Sequence, residues 1–168
     1  TGTATDLIHP RQTPLPAAHT ANLSDKNEVT YKIVQPVAWD YIQCDEALET
    51  VVANADVFIY GSLAARSAAS ADTLFRLLKK ARFKVFDVNL RAPHYDQNTL
   101  EQLLHAADMV KMNANELDML AAWYTPNTDE QTAIITLAET FDIQTICVTK
   151  GEHGAVLWTG EKFYQSAG

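Results

Sequence analysis

The sequence predicts an α/β fold in which helices flank a parallel sheet, with a small antiparallel piece near the N-terminus. Two features carry the prediction. From residue 45 onward, short apolar runs alternate with segments of helical period, the pattern of βαβ units. The first 44 residues differ, being broken by Pro10, Pro14 and Pro16, and within them EVTYKIV over 28–34 alternates in the period of a half-exposed strand. Bulk composition agrees, since 168 residues that are 47% apolar can bury one sizeable core.

Taken in order, residues 20–23 and 28–34, joined by the polar turn 24–27, predict a two-stranded sheet outside the main one, a flap or lid. The chain accordingly divides into a leading segment over 1–16, lid strands over 17–36 and an α/β body over 37–168. DEALETVVAN over 45–54 predicts a helix, and 57–60 a short buried strand closed by Gly61. The Ala- and Leu-rich stretch 64–81 is the next helix, with Lys79, Lys80 and Arg82 in or just beyond its last turn, where cations suit the helix dipole. A strand over 84–88, a helix over 98–107 and a strand over 109–112 follow. Residues 114–123 then turn helical until Pro126 stops them. Ile134, Leu137, Ala138 and Phe141 line one face of a helix over 129–141, which feeds a strand over 145–149. Two short segments around Gly160, 155–158 and 162–164, predict a hairpin.

Charge and motif spacing exclude several classes. A formal charge of −8 and a pI near 5.0 repel a nucleic-acid backbone and offer no basic stripe, so no nucleic acid is expected as a partner. ATP stays open, because backbone N–H groups and a divalent cation can hold phosphates without a basic surface. No apolar run approaches the roughly eighteen residues of a membrane span, and the N-terminus carries no signal-peptide pattern. No membrane partner and a cytoplasmic location are therefore expected. Cys44 and Cys147 lie far apart, the second inside an apolar run, as reduced buried thiols do. The five histidines have no spacing that would place two metal ligands on one face.

Ligands of open parallel sheets bind beyond the carboxyl ends of the strands, so the polar residues after each apolar run are the candidates. Asp87, Asn89 and Arg91 alternate after one strand and, if extended, point a carboxylate, an amide and a guanidinium to one side. That set could bind hydroxyls and anionic oxygens, or Arg91 could simply pair with a surface carboxylate. Asn113 and Glu116 stand three apart at a helix start, the spacing of an N-cap and its capping-box partner. Glu116 could equally order a water shell around Mg2+. Thr149, Gly151 and Gly154 lie in a turn whose N–H groups could approach a phosphate, although a strand-to-hairpin turn needs glycines too.

Together and in this order, the segments VTYKIVQPVAWDYI, FIYGSLA, FDVNLRAPHY, VKMNANEL and VTKGEHGAV resemble the ribokinase (PfkB) family of carbohydrate kinases, in particular its fructokinase-like branch. The resemblance covers roughly 5–168 and implies a three-layer sheet-and-helix fold with a lid. It implies ATP and Mg2+ as cosubstrate and cofactor, a small sugar such as fructose as acceptor, and a homodimer formed through the lid. Carried over by position, Asn113 and Glu116 match the motif that organises Mg2+ and the ATP phosphates, with Glu116 reaching the metal through water. Asn89 and Arg91 match positions facing the sugar and the transferred phosphoryl group, and Asp87 joins them as a substrate-binding candidate. Thr149, Gly151 and Gly154 match the turn beside the nucleotide.

The departures from the family pattern bear on activity. The family's Gly-Gly pair and its sugar-binding Asp and Asn are absent, as is the Gly-Ala-Gly-Asp motif that supplies an anion hole and the catalytic Asp. Pro16-Ala17-Ala18 stands where the family often has Pro-Thr-Gly. The expectation is thus the central part of a sugar kinase, truncated at both ends, with no catalytic residue of its own and no turnover. The rival is a non-catalytic ligand-binding or regulatory module on a degenerate kinase fold. A dinucleotide-binding domain is disfavoured because no Gly-x-Gly-x-x-Gly turn follows the first strand.

Overall fold

A strand order that never reverses determines the architecture. The structure, a computed structural model, describes residues 19–23 and 29–168; the expected leading segment and the turn at 24–27 lie outside the described residues. Strands β1 (His19–Leu23) and β2 (Val29–Ile33) pair antiparallel as a separate two-stranded ribbon. The main sheet runs β3 (Phe58–Gly61), β4 (Lys84–Asp87), β5 (Met109–Asn113), β6 (Thr145–Thr149), β7 (Ala155–Trp158) and β8 (Phe163–Ser166), side by side in sequence order. The first four are parallel, and the hairpin β7–β8 joins the same sheet antiparallel.

Helices α2 (Ala68–Leu78), α3 (Gln97–His105), α4 (Ala114–Ala121) and α5 (Glu130–Phe141) make the crossovers. Each crossover steps the same way along the sheet, and with the right hand that parallel crossovers take as a rule, the helices gather on one face. The row Tyr60, Phe86, Val110, Ile146 and Trp158 crosses five strands in register on that face. It packs into one core with Leu74, Leu103, Leu120, Leu137 and Phe141 of the helices. The next row, Ile59, Val85 and Met109, points the other way, and Ile59 is 68% exposed. Among the described residues, then, the fold comprises the sheet, one packed helical layer, the ribbon and helix α1 (Glu46–Asn54), which ties to α2 through Glu49 and Arg76 at 2.7 Å.

The helix starts follow from side-chain caps. Asp45, Asp96 and Asp129 each accept a backbone N–H of the first turn of α1, α3 and α5. The helix expected over 64–81 divides instead: a 3-10 turn occupies Ser62–Ala65, and α2 begins after Ser67, whose hydroxyl caps Ser70 N–H. Ser67 is the N-cap that composition alone hid within an Ala-rich run, and Arg66 falls at the joint.

Candidate active site

The carboxyl ends of β3 to β6 carry the candidate residues, and one buried carboxylate ties two of those ends together. Glu116, 6% exposed, accepts the N–H of Asn113 on Oε2 at 2.9 Å, while Asn113 Oδ1 accepts the N–H of Glu116 at 2.9 Å. This is the capping box that the spacing allows. The other oxygen does something the box does not need: Oε1 accepts the N–H of Leu90 at 2.8 Å, 26 residues back in the chain. Glu116 therefore clamps the loop after β4 to the start of α4, and both of its oxygens are held by backbone donors.

The extended run expected for Asp87, Asn89 and Arg91 does not form. Asn89 takes φ 39°, in the left-handed region that Asn tolerates better than most residues, and the chain turns there. Asp87 closes β4 and pairs with Lys111 Nζ at 3.1 Å, its neighbour across the β4–β5 register. Arg91 Nη1 donates to the carbonyl of Leu90 at 2.8 Å. The carbonyl of Asn89 accepts the Ser62 hydroxyl at 3.3 Å, which joins the loop to the end of β3. The three residues thus remain at one sheet end without forming a single row.

On the other side, Asn113 and Thr149 are register partners at the ends of β5 and β6, and Thr149 Oγ1 donates to the carbonyl of Met112 at 3.4 Å. Asn113, Ala114, Thr149, Lys150, Gly151 and His153 line an open cavity of about 370 Å³ above the N-terminus of α4. Lys150 Nζ reaches Glu130 of α5 at 2.9 Å, fixing the turn. Gly151 sits at φ 57° with open space where a Cβ would be. Gly154 has another role at φ 82°: a Cβ there would collide with the backbone of Ser166 and Ala167 beside β8. Of the expected nucleotide set, Asn113, Thr149 and Gly151 share the cavity, Glu116 braces it from below, and Gly154 lets β8 pass.

Sequence reasoning missed Lys111 and Arg66. Lys111 carried a signal, since a lysine inside an apolar strand needs a partner on an adjacent strand. Among the described residues no group of three or more His, Cys, Asp and Glu side chains could hold a metal on its own.

Comparison with known proteins identifies the family. The sequence profile of the pfkB family of carbohydrate kinases matches residues 8–167, and the chain belongs to that family. No curated protein matches. Among solved structures, fructokinase with bound ATP from Xylella fastidiosa superposes with a TM-score of 0.72 at 21% identity, covering 89% of this chain and 48% of that one. Fructokinase from Vibrio cholerae O395 in its fructose-, ADP- and calcium-bound form gives 0.70 at 20%, covering 93% and 52%. Aminoimidazole riboside kinase from Salmonella enterica, complexed with its riboside and an ATP analog, gives 0.63 at 20%, covering 82% and 47%. The chain spans about half the length of these kinases, and at such identity the likeness is one of fold. No helix among the described residues is long and apolar enough to cross a membrane.

Proposed function

We propose that these residues form part of a kinase that transfers the γ-phosphoryl group of ATP to a hydroxyl of a small sugar, fructose foremost, and that works in the cytoplasm, where ATP is supplied. The observation that carries this reading is the Glu116 clamp. One carboxylate holds the Leu90 N–H and the Asn113 N–H, so the loop bearing Asn89 and Arg91 stands beside the α4 N-terminus and the Thr149–Gly151 turn. A nucleotide phosphate at that helix start would meet backbone N–H groups and the positive end of the helix dipole. Asn89, Arg91 and Asp87 would then orient the sugar, and the β1–β2 ribbon would close over it and pair with a second copy. Bound Mg2+ would neutralise charge on the phosphate oxygens, with Glu116 holding its water.

The 168 residues contain no Gly-Ala-Gly-Asp sequence, so by themselves they should bind Mg–ATP and not turn over. Titration calorimetry with ATP, with and without Mg2+, checks the first part, and a coupled assay against a sugar panel checks the second. Magnesium-dependent ATP binding weakened by Asn113→Ala is the expected result. ATP binding that ignores both Mg2+ and Asn113, or none at all, would refute the reading.

A further inference from the structure

We infer that Asp40 and Arg66 are a positioning pair that fixes where the β1–β2 ribbon leaves the body, and so sets one wall of the cleft in which the sugar would lie. Only the identity of that ligand rests on the kinase reading. The side chains of Arg66 and Asp40 are 1% and 3% exposed, and the guanidinium grips the carboxylate side-on, Nε to Oδ1 at 2.6 Å and Nη2 to Oδ2 at 2.7 Å. The same Nη2 donates to the carbonyl of Val34 at 3.0 Å, the first residue beyond β2. Asp40 Oδ2 also accepts the N–H of Val37 at 2.7 Å, and the Trp39 ring lies over the guanidinium at 5.4 Å. Three α2-side hydroxyls complete the seam: Ser67 donates to the Asp40 carbonyl, Ser70 to that of Trp39 and Thr73 to that of Ile42.

Stability alone is a poor reason for this arrangement. A buried ion pair is often no better than an apolar pair of the same volume, whereas its fixed geometry can specify one conformation. Here the geometry converges on the exit of the ribbon. It also leaves Arg66 Nη1 buried without a hydrogen-bond partner among the described residues, a cost that a purely stabilising pair would avoid. The other end of the same short element does a matching job. Arg66 caps the Ser62–Ala65 turn, whose Ser62 hydroxyl holds the Asn89 carbonyl at 3.3 Å. One rigid turn therefore sets the ribbon exit through Arg66 and the loop after β4 through Ser62. Between these anchors lies a cavity of about 260 Å³ lined by Gln35, Ser62, Arg66, His94 and Thr99.

The test compares Arg66→Lys and Asp40→Asn with wild type, with Arg66→Met as the severe variant. Lysine keeps the charge but cannot serve the carboxylate fork and the Val34 carbonyl together. Amide exchange read by mass spectrometry should rise about tenfold over 34–42 and stay within about twofold in β5 and β6. Fructose affinity by calorimetry should fall about tenfold while Mg–ATP affinity holds within about twofold. Should Arg66→Met fail to fold, the two milder variants still decide. Exchange rising equally throughout, or a 34–42 segment that does not respond, would overturn the positioning role. Wild type that binds no sugar while its variants show the local exchange pattern would sink the sugar reading and leave the positioning pair standing.

Discussion

Replacing Glu116 by glutamine removes the charge and one acceptor from a carboxylate that serves two backbone donors. Whichever way the amide turns, its oxygen can take either the Leu90 N–H, now accepted at 2.8 Å, or the Asn113 N–H, now at 2.9 Å. Its NH2 is left facing the other donor. Hydrogen bonds to charged groups contribute about 1.5–3 kcal/mol each, and a buried donor left unpaired costs about as much, so Glu116→Gln should destabilise the fold by about 2–3 kcal/mol. Glu116→Ala loses both bonds and should cost about 3–5 kcal/mol. Urea unfolding followed by tryptophan fluorescence gives the stability, and amide exchange at Leu90 and Asn113 gives the location. The loss should be the same in EDTA as in Mg2+, because both bonds are internal to the protein. A Glu116→Gln variant within about 0.5 kcal/mol of wild type, with the Leu90 amide still protected, would refute the clamp.

Three further outcomes are expected. The Arg66 guanidinium hydrogen-bonded to Asp40 holds that carboxyl below the ordinary carboxylate value, against the opposing effect of burial. With the folded pKa depressed, the stabilisation is full above the unfolded value of about 4 and is lost as pH falls through the folded one. The wild-type minus Asp40→Asn stability difference should therefore shrink on acidification below about pH 4, and a flat difference down to pH 2 would contradict it. The two sheet faces should respond oppositely: Phe86→Ala, fully buried and stacked on Tyr60 at 5.1 Å, should cost about 3–5 kcal/mol, whereas Ile59→Thr on the open face should cost under about 0.5, both read from urea midpoints. Gly151→Ala has room for the methyl but not the φ, so about 1 kcal/mol of destabilisation without local repacking should appear in the same assay.

Periodicity made most of the sheet legible because its parallel strands are short apolar runs set between helices, three of which start at a visible Asp N-cap, Asp45, Asp96 and Asp129. The hairpin was legible from two short segments around Gly160, but its membership of the main sheet was not. That depends on the pairing of Val148 with Val156, a register no local signal encodes. The two faces of the sheet were equally hidden. Ile59 and Phe86 look alike as apolar strand residues, and only the uniform direction of the crossovers decides that one is bare and the other enclosed.

The site divides along a similar line between local and long-range information. Asn113 and Glu116 could be read as a pair because a capping box is a three-residue signal, and the structure forms it. The reach of Glu116 to Leu90 could not be read, since a bond across 26 residues depends on β4 and β5 lying side by side. That long-range bond changes the meaning of the motif. A capping box alone would explain both residues without any ligand, whereas a carboxylate that also anchors the Asn89–Arg91 loop makes helix start and loop one unit. Arg66 follows the same logic: its partners Asp40 and Val34 lie 26 and 32 residues away, and a cation within a run of small residues gives no hint of either. In both cases a single buried charge joins segments that helical crossovers bring together, and these joints, more than the polar residues they carry, fix the relative positions of the two sides of the cleft.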